Sequence, residues 1–544
     1  MIKSVYNDIV NYCRKINWAL LFSLLLILNV KMAVKVVAIA LLILLYNRKL
    51  IKNDFLRQRF VWFYISMIII AVVNLVISFS SITVNYMVAF IIGTGFWIMC
   101  IVAAALCYWF VKNTTIDKLH NTITLFFLLN AAFTLAQLAT FMYDAGSINP
   151  FTYQGMNQKY FIGTGDLLRG ITMDVSTTNA ILNGFAVLYF LDRRKYPWVI
   201  LCMMVLLLTA SNFTNLLLFA ILFLVFLFQS NRDQKSIIVV CLFMVIIFFS
   251  KISPQNRHYL TYVWQKVSHS KIDTIRPEVT PPMLTSLPDS ILNKEDRKRK
   301  MAQLYFDSLF SLYEKRFLSS QPVGKVIEPT RIKPEIPKAN IHTEPYQRKR
   351  DTSVYQKTLI DFATHNIPSF DTSLRHVQKQ KLPGKLIALK QTAVFLKRHP
   401  LKFFTGAGMG KFASKLAFRA TALSFAGGYP GRYIYINDDF RDNHLNLYLT
   451  YFSKDKEVHS LMNSPDSVYD QLLAEYGLAG IACFVLFYVV YFFKHGRAKS
   501  YGLPLLIFTL GAFTIGYWFE QLSIVIIFEL MMLINYKEIR EQNE

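Results

Sequence analysis

The feature that most limits how this chain folds is a series of apolar segments, most of them close to the length that crosses a membrane. A transmembrane helix needs about 20 mainly apolar residues, because a bilayer core is about 30 Å thick and a helix rises about 1.5 Å per residue. Twelve such segments predict an all-α polytopic membrane protein. They lie near Trp18–Val30, Met32–Tyr46, Phe60–Phe79, Tyr86–Phe110, Leu119–Met142, Ser176–Leu191, Pro197–Ala210, Phe213–Phe228, Ile237–Ser250, Leu478–Phe493, Gly502–Phe519 and Leu522–Tyr536.

The basic residues between these segments predict the orientation in the membrane. Loops that face the cytoplasm carry an excess of Lys and Arg, and here every second loop is basic, including Arg48–Arg59, Arg193–Lys195 and Lys494–Lys499. Both termini are therefore expected in the cytoplasm, and the first apolar segment is expected to stay as an uncleaved anchor. The same bias accounts for much of the formal net charge of +25, so it does not indicate a nucleic-acid partner.

One large hydrophilic segment interrupts the series and is expected on the extracytoplasmic side. We divide the chain into a membrane domain of about nine spans (1–250), a basic, Pro-rich segment (251–381), a more ordered loop (382–477) and three last spans with a cytoplasmic tail (478–544). Apolar spacing predicts a helix over Arg299–Phe317. A second helix is predicted over Gly384–Lys397, broken before Pro400.

Cysteine and histidine usage indicates neither a disulfide framework nor a metal site. All six cysteines lie in or beside predicted spans, and none lies in the outer segment. No CxxC or Cys/His cluster has zinc-ligand spacing. We therefore expect no metal and no cofactor.

Two stretches of the ordered loop carry its polar and glycine residues. In FFTGAGMGKF, Gly406, Gly408 and Gly410 would let a backbone turn approach a ligand closely. The pattern differs from a nucleotide-binding GxxxxGK[ST] loop, so a structural turn is expected. In the run from His459 to Gly480, a helix is predicted from Val468, and Gly477 and Gly480 would let it bend or pack closely. Helical spacing of its apolar residues would leave three acids at the polar edge, namely Asp466, Asp470 and Glu475.

Taken together, these features resemble the O-antigen ligase and polymerase superfamily. The pieces that match are LLRGITMDVSTTNA before the sixth span, HPLKFFTGAGMGKF in the outer loop and QLLAEYGLAG at its exit. The resemblance implies a metal-independent, inverting glycosyltransferase of the bacterial inner membrane, which moves a glycan from undecaprenyl pyrophosphate to an acceptor hydroxyl on a glycan or glycolipid. A flippase and a chain-length regulator are the protein partners that such an enzyme would work with.

The resemblance also gives candidate site residues. Arg169 occupies the family's arginine position and would stabilise the departing pyrophosphate, because a guanidinium pairs with phosphate oxygens. Arg419 and Arg432 are added as candidates from the loop. Glu475 is expected to orient an arginine or to cap structure rather than to react.

The proton acceptor is left open, because the chain departs from the family here. Where ligases commonly carry a His-Asn pair, this chain has Asp466 and Ser467. The candidate bases are His459, Asp466 and His444, since a neutral imidazole or a carboxylate can accept a hydroxyl proton. A second departure is SNFTN at Ser211–Asn215, which lacks an arginine that many relatives have.

Several functions compete. The missing His-Asn pair favours a repeat-unit polymerase over a ligase that attaches the glycan to lipid A-core or to a protein. A metal-dependent lipid-linked glycosyltransferase would need acids in its first outer loop, and Asn29–Lys35 has none. A glycan flippase would show two similar halves and charges within its spans, whereas we find no internal repeat and few such charges beyond Glu529.

Overall fold

All regular secondary structure of the described residues is helical. The computed structural model describes residues 14–29, 31–50, 53–78, 82–145, 148–152, 164–252, 382–421, 429–451, 461–496 and 500–544. No strand occurs within these ranges, so the predicted all-α class is confirmed for them. The predicted helix Arg299–Phe317 and most of the basic segment 251–381 lie outside them.

Each of the twelve predicted spans contains a helix. The long and short helices that fall in these spans are Trp18–Ile27, Met32–Leu50, Arg59–Ile77, Val84–Asn113, Ile116–Ala145, Ser176–Asp192, Tyr196–Leu208, Asn212–Phe228, Arg232–Ile247, Val468–Cys483, Gly502–Ala512 and Ser523–Asn543. Some are shorter than predicted: the helix after Gly502 ends at Ala512, and the chain then turns through Gly516, whose φ of 79° is open to glycine.

Five of the described helical stretches are long and apolar enough to cross a membrane by themselves: Arg59–Ile77, Val84–Asn113, Ile116–Tyr143, Arg232–Ile252 and Val468–His495. Within the same described ranges, five other apolar helices are shorter, among them Trp18–Ile27 and Gly502–Ala512. These helices support a helical membrane protein, whereas the number of twelve spans and their orientation stay predictions.

The contacts divide the chain into two units. The first unit comprises Met1–Val72, Thr94–Ser268 and Ala479–Glu544, and the second comprises Val73–Gly93 and His269–Leu478.

The centre of the first unit is the helix Ser176–Asp192. All of its residues from Ser176 to Leu191 are buried, and it packs against its neighbours Tyr196–Leu208, Asn212–Phe228 and Ser523–Asn543. Packing is close enough that a Cβ atom on Gly184 would lie 2.4 Å from the ring of Phe508. Helices pack this closely in membranes through small residues, because dispersion contacts replace the hydrophobic effect there.

The second unit is built from short helices around a small apolar core. Among the described residues, its helices are Gly384–Arg398, Pro400–Thr405, Lys415–Ala420, Asp438–Asp442 and Leu445–Tyr451, together with the parts of Arg59–Ile77 and Val84–Asn113 within Val73–Gly93 and the part of Val468–Cys483 up to Leu478. The core contains Phe395, Leu396, Phe412 and Ala474. The helix predicted over Gly384–Lys397 is confirmed to within one residue, and Pro400 starts a new helix because proline is well accommodated at the first helical position.

Candidate functional site

The glycine loop, defined as Gly406–Ser414, packs its backbone directly against the backbone of the exit helix, defined as Val468–Cys483. A Cβ atom on Gly406 would lie 2.2 Å from the carbonyl carbon of Glu475, and one on Gly477 would lie 2.6 Å from the amide nitrogen of Gly406. Both glycines also have positive φ, 80° and 65° respectively. Side chains are therefore excluded at both positions by space as well as by backbone conformation.

The exit helix is interrupted at Gly477, where the predicted bend is observed. The φ and ψ of this residue are 65° and −162°, outside the helical region. The carbonyl groups of Ala474 and Glu475 accept hydrogen bonds from the amides of Ala407 at 2.8 Å and Gly408 at 3.1 Å. The glycine loop thus satisfies two carbonyl groups just before the break in the helix.

The side chain of Glu475 is surrounded by amide groups of the same loop. Its carboxylate accepts hydrogen bonds from the backbone N–H groups of Gly410 (2.7 Å), Phe412 (3.0 Å), Ala413 (3.1 Å) and Ser414 (3.0 Å). The residue is fully buried. Hydrogen bonds to a charged group stabilise by about 1.5–3 kcal/mol each, so four of them offset much of the cost of burying a carboxylate.

These contacts correct the predicted position of Asp470 and Glu475 and bear on the predicted role of Glu475. Asp470 and Glu475 do not lie at a polar edge of the exit helix, because both are buried, at 3% and 0% exposure. The apolar spacing was misleading because the partners of both carboxylates come from other parts of the chain. Glu475 holds the glycine loop and contacts no arginine among the described residues, which agrees with a capping role.

The partner of Asp470 is His444. Nε2 of His444 lies 2.8 Å from Oδ2 of Asp470, and both side chains are buried. The ring of Phe412 packs against the imidazole at a centroid distance of 4.8 Å. The His444 amide donates to the carbonyl of Phe440 at 2.9 Å, which fixes the backbone between the helices Asp438–Asp442 and Leu445–Tyr451.

This arrangement leaves one lone pair of the imidazole unused. A carboxylate only accepts hydrogen bonds, so Nε2 carries the proton that it donates to Asp470, and Nδ1 of the neutral ring is an acceptor. Among the described residues, Nδ1 of His444 and Oδ1 of Asp470 have no hydrogen-bond partner, although both atoms are buried. An imidazole oriented by a carboxylate, with its second nitrogen unpaired, is the arrangement that general bases use. The ring is buried here, so a hydroxyl group would reach Nδ1 only after the side chains around it move.

A lysine that the sequence reasoning did not single out lies beside this pair. The amide of Lys385 donates to the carbonyl of Met462 at 3.0 Å, and its ammonium donates to the carbonyl of Asp466. Burial lowers the pKa of Lys385 to about 8, although the carboxylates of Asp466 and Asp470 act in the opposite direction. Lys385, Asp466, Asp470 and His444 thus form a cluster of ionisable groups within the second unit.

The other predicted loop residues differ in their surroundings. Asp466 is partly buried, and its Oδ1 has no hydrogen-bond partner among the described residues. Arg432 is exposed, with its guanidinium carbon 4.9 Å from the centre of the Tyr433 ring. Arg419 is partly buried in the helix Lys415–Ala420 and makes contacts there. His459 lies outside the described residues, so its candidacy as the base stays a prediction.

In the first unit, Arg169 lies on a tight turn that is held by amide side chains. The amide of Gly170 donates to Oε1 of Gln137 at 3.0 Å, that of Ile171 donates to Oδ1 of Asn130 at 3.0 Å, and Asn179 donates to the carbonyl of Leu168 at 2.9 Å. Gly170 has a φ of 63°, and a Cβ atom there would lie 2.4 Å from Oδ1 of Asn130. The turn is therefore closely determined by its surroundings.

The side chain of Arg169 is exposed on this turn, and among the described residues it forms no ion pair. A structural ion pair with any of those residues therefore does not explain it. The amides that hold the turn were missed by sequence reasoning. Their only signal is that Asn130, Gln137 and Asn179 interrupt or border otherwise apolar predicted spans.

Among the residues that the structure describes, no group of three or more His, Cys, Asp or Glu side chains is placed to hold a metal ion. Two cavities, of about 640 and 510 Å³, lie in the first unit near Arg232 and Gln229. Neither is lined by a predicted site residue.

Comparison of the chain with protein-family models, with curated proteins and with solved structures gave no match.

Proposed function

We propose that this chain is a membrane glycosyltransferase that moves a glycan from undecaprenyl pyrophosphate to the hydroxyl group of an acceptor sugar. The observation that carries the proposal is the His444–Asp470 pair, whose Nε2–Oδ2 distance is 2.8 Å and whose Nδ1 has no partner among the described residues. Transfer to a hydroxyl requires a group that accepts its proton, and a carboxylate-oriented imidazole is well suited to this task.

The proposed reaction is a single displacement with inversion. The acceptor oxygen attacks the anomeric carbon of the donor sugar as its proton passes to Nδ1 of His444. The bond from the anomeric carbon to the phosphate oxygen breaks, and undecaprenyl pyrophosphate leaves with the bonding electron pair. Asp470 holds the imidazole in the required tautomer and stabilises the imidazolium that forms.

Arg169 is proposed to stabilise the negative charge of a departing pyrophosphate. Its turn is fixed by Gln137, Asn130 and Asn179, while its guanidinium is exposed. A cation on a preorganised turn is effective because little reorganisation is needed when charge develops on the ligand. Arg169→Ala should abolish transfer and leave the protein folded and inserted, whereas Arg57→Ala, a change at another exposed arginine of the first unit, should have no effect on transfer.

A repeat-unit polymerase is favoured over a ligase, because the ligase-type His-Asn pair is replaced by Asp466 and Ser467. We further propose that the chain lies in the bacterial inner membrane, with both termini in the cytoplasm and the 382–477 loop in the periplasm. The donor and the acceptor glycan would then be bound at the outer face of that membrane.

The experiment that tests this function compares surface glycans and carrier lipids in a strain that lacks the gene. Gel ladders would report glycan length on the acceptor, and mass spectrometry would identify glycans on the extracted carrier lipid. Single repeat units on the acceptor would support a polymerase, and long chains retained on the carrier lipid would support a ligase. An unchanged profile of both fractions would contradict the proposal.

A further inference from the structure

The ammonium group of Lys411 lacks the kind of partner that buried cations usually have. Lys411 lies in the glycine loop and is only 8% exposed. Its Nζ lies 4.3 Å from the centre of the Tyr86 ring. Among the described residues it forms no ion pair and no side-chain hydrogen bond, whereas nearby Lys402 is paired with Asp439 at 3.1 Å. Of these two lysines, Lys411 is therefore the one that has no ion pair within the part of the chain that the structure describes.

The charges that act on the Lys411 ammonium are those of Lys402 and Asp439. Burial lowers the pKa of the Lys411 ammonium, the positive charge of Lys402 lowers it further, and Asp439 acts in the opposite direction. Asp439 is already paired with Lys402 at 3.1 Å, so it neutralises Lys411 only in part. A cation removed from water without a full counter-charge is destabilised, and a bound anion would remove that destabilisation.

The backbone around Lys411 is fixed on both sides. The amides of Gly410 and Phe412, its two neighbours, both donate to Glu475. Tyr86 donates its hydroxyl to the carbonyl of Met409 at 3.2 Å, and so holds the ring that lies under the ammonium. The position of Lys411 is therefore determined before any ligand binds, which lowers the entropy lost on binding.

We propose that Lys411, assisted by Lys402, binds a phosphate-type anion in the second unit. Lysine ammonium groups bind phosphates as point charges with three donors each, and two of them suit a ligand with more than one negative charge. The identification of this anion as the diphosphate of a carrier lipid rests on the proposed function. The headgroup of an anionic membrane lipid has the same chemistry.

The experiment measures the reactivity of individual lysine amines in the full-length protein. Protein in phosphatidylcholine nanodiscs is treated with an amine-modifying reagent, with or without inorganic pyrophosphate, and modification is quantified by mass spectrometry. A parallel sample uses nanodiscs of phosphatidylglycerol without pyrophosphate. We expect the anion to slow modification of Lys411 at least fivefold and to leave exposed Lys390 unchanged.

Each result has a defined meaning. Protection of Lys411 by pyrophosphate alone supports a diphosphate ligand, and protection by phosphatidylglycerol alone supports a lipid headgroup. Protection in both samples supports an anion site open to either source. Equal modification of Lys411 in all samples overturns the proposal. Because the assay needs no transfer activity, protection without any transfer would contradict the proposed function alone.

Variants provide a second measurement. Lys411→Met keeps an unbranched chain over the Tyr86 ring but removes the charge, and should weaken pyrophosphate binding at least tenfold in titration calorimetry. Lys411→Arg should retain most of the wild-type affinity for pyrophosphate. Lys390→Met is the matched control in the same unit. Wild-type affinity in a folded Lys411→Met protein would exclude Lys411 from the site.

Discussion

At the scale of single residues, the pairing of His444 with Asp470 allows substitutions to test whether His444 is the general base. His444→Gln keeps a polar side chain of similar size but removes the imidazole, and transfer should fall by about 100- to 10,000-fold, the usual contribution of a general base. Asp470→Asn should reduce turnover less, with little change in the apparent affinity for the donor. Rates would be measured with purified protein and lipid-linked donor.

The matched control for this prediction is His399→Gln, because His399 is exposed in the same unit and ends the helix Gly384–Arg398. Its rate should equal that of the wild type. Undiminished transfer in a folded His444→Gln protein would exclude His444 and return the role of base to His459 or Asp466.

A second prediction concerns Lys385 and the way the free energy of unfolding depends on pH. Its pKa is about 8 in the folded protein, below the ordinary value for lysine of about 10.4. Between these values the unfolded chain binds more protons than the folded protein, so the contribution of Lys385 to the free energy of unfolding rises with pH and is least favourable below about pH 8.

The variant Lys385→Met removes this titration. The difference in unfolding free energy, wild type minus variant, should therefore increase by about 2 kcal/mol between pH 8 and pH 10.5, less than the full shift implies because the side chain is partly exposed. Unfolding by denaturant in detergent at several pH values would measure it. A difference that does not change with pH would show that the ammonium is well solvated.

At the scale of elements, the packing of the glycine loop on the exit helix allows a matched pair of substitutions. Gly406 and Gly408 both have positive φ, 80° and 101°, so alanine is strained at either position. At Gly406, however, the new Cβ atom would lie 2.2 Å from the backbone of Glu475, whereas at Gly408 its nearest neighbour is the flexible side chain of Lys411 at 3.4 Å.

Gly408→Ala should destabilise the protein by about 1 kcal/mol, the usual strain of a left-handed residue. Gly406→Ala should destabilise it by at least about 3 kcal/mol, because the loop must separate from the exit helix and leave the Glu475 carboxylate without its donors. Thermal unfolding in detergent would compare the two variants. Equal losses of stability would show that the backbone contact at Gly406 contributes nothing.

At the scale of the whole molecule, the sequence predicted local helices more accurately than contacts between residues that are distant in sequence. Helical spacing and the proline rule placed the helix Gly384–Arg398 to within one residue. The same spacing placed Asp470 and Glu475 at a polar edge, and this was wrong. Their partners, His444 and the amides of the glycine loop, lie 26 and more than 60 residues away in sequence. Periodicity describes one helix and carries no information about groups that approach it from elsewhere.

The orientation of the chain in the membrane is the prediction that belongs to the molecule as a whole. The distribution of Lys and Arg predicts that the 382–477 loop is periplasmic and that the loop Arg48–Arg59 is cytoplasmic. Lys390 and Arg57 are exposed positions in these two segments. Single cysteines at each, in a Cys13→Ser background, would report the side on which they lie, since four of the other native cysteines are buried and Cys483 is partly buried.

A membrane-impermeant maleimide should label Lys390→Cys in intact spheroplasts, whereas Arg57→Cys should react only after the membrane is permeabilised. The background protein without an introduced cysteine sets the baseline, including any reaction at Cys483. The reverse pattern would place the loop in the cytoplasm, where lipid-linked glycans are made rather than transferred to their final acceptors. It would thereby contradict the proposed periplasmic reaction as well as the orientation, because the His444–Asp470 pair belongs to that loop.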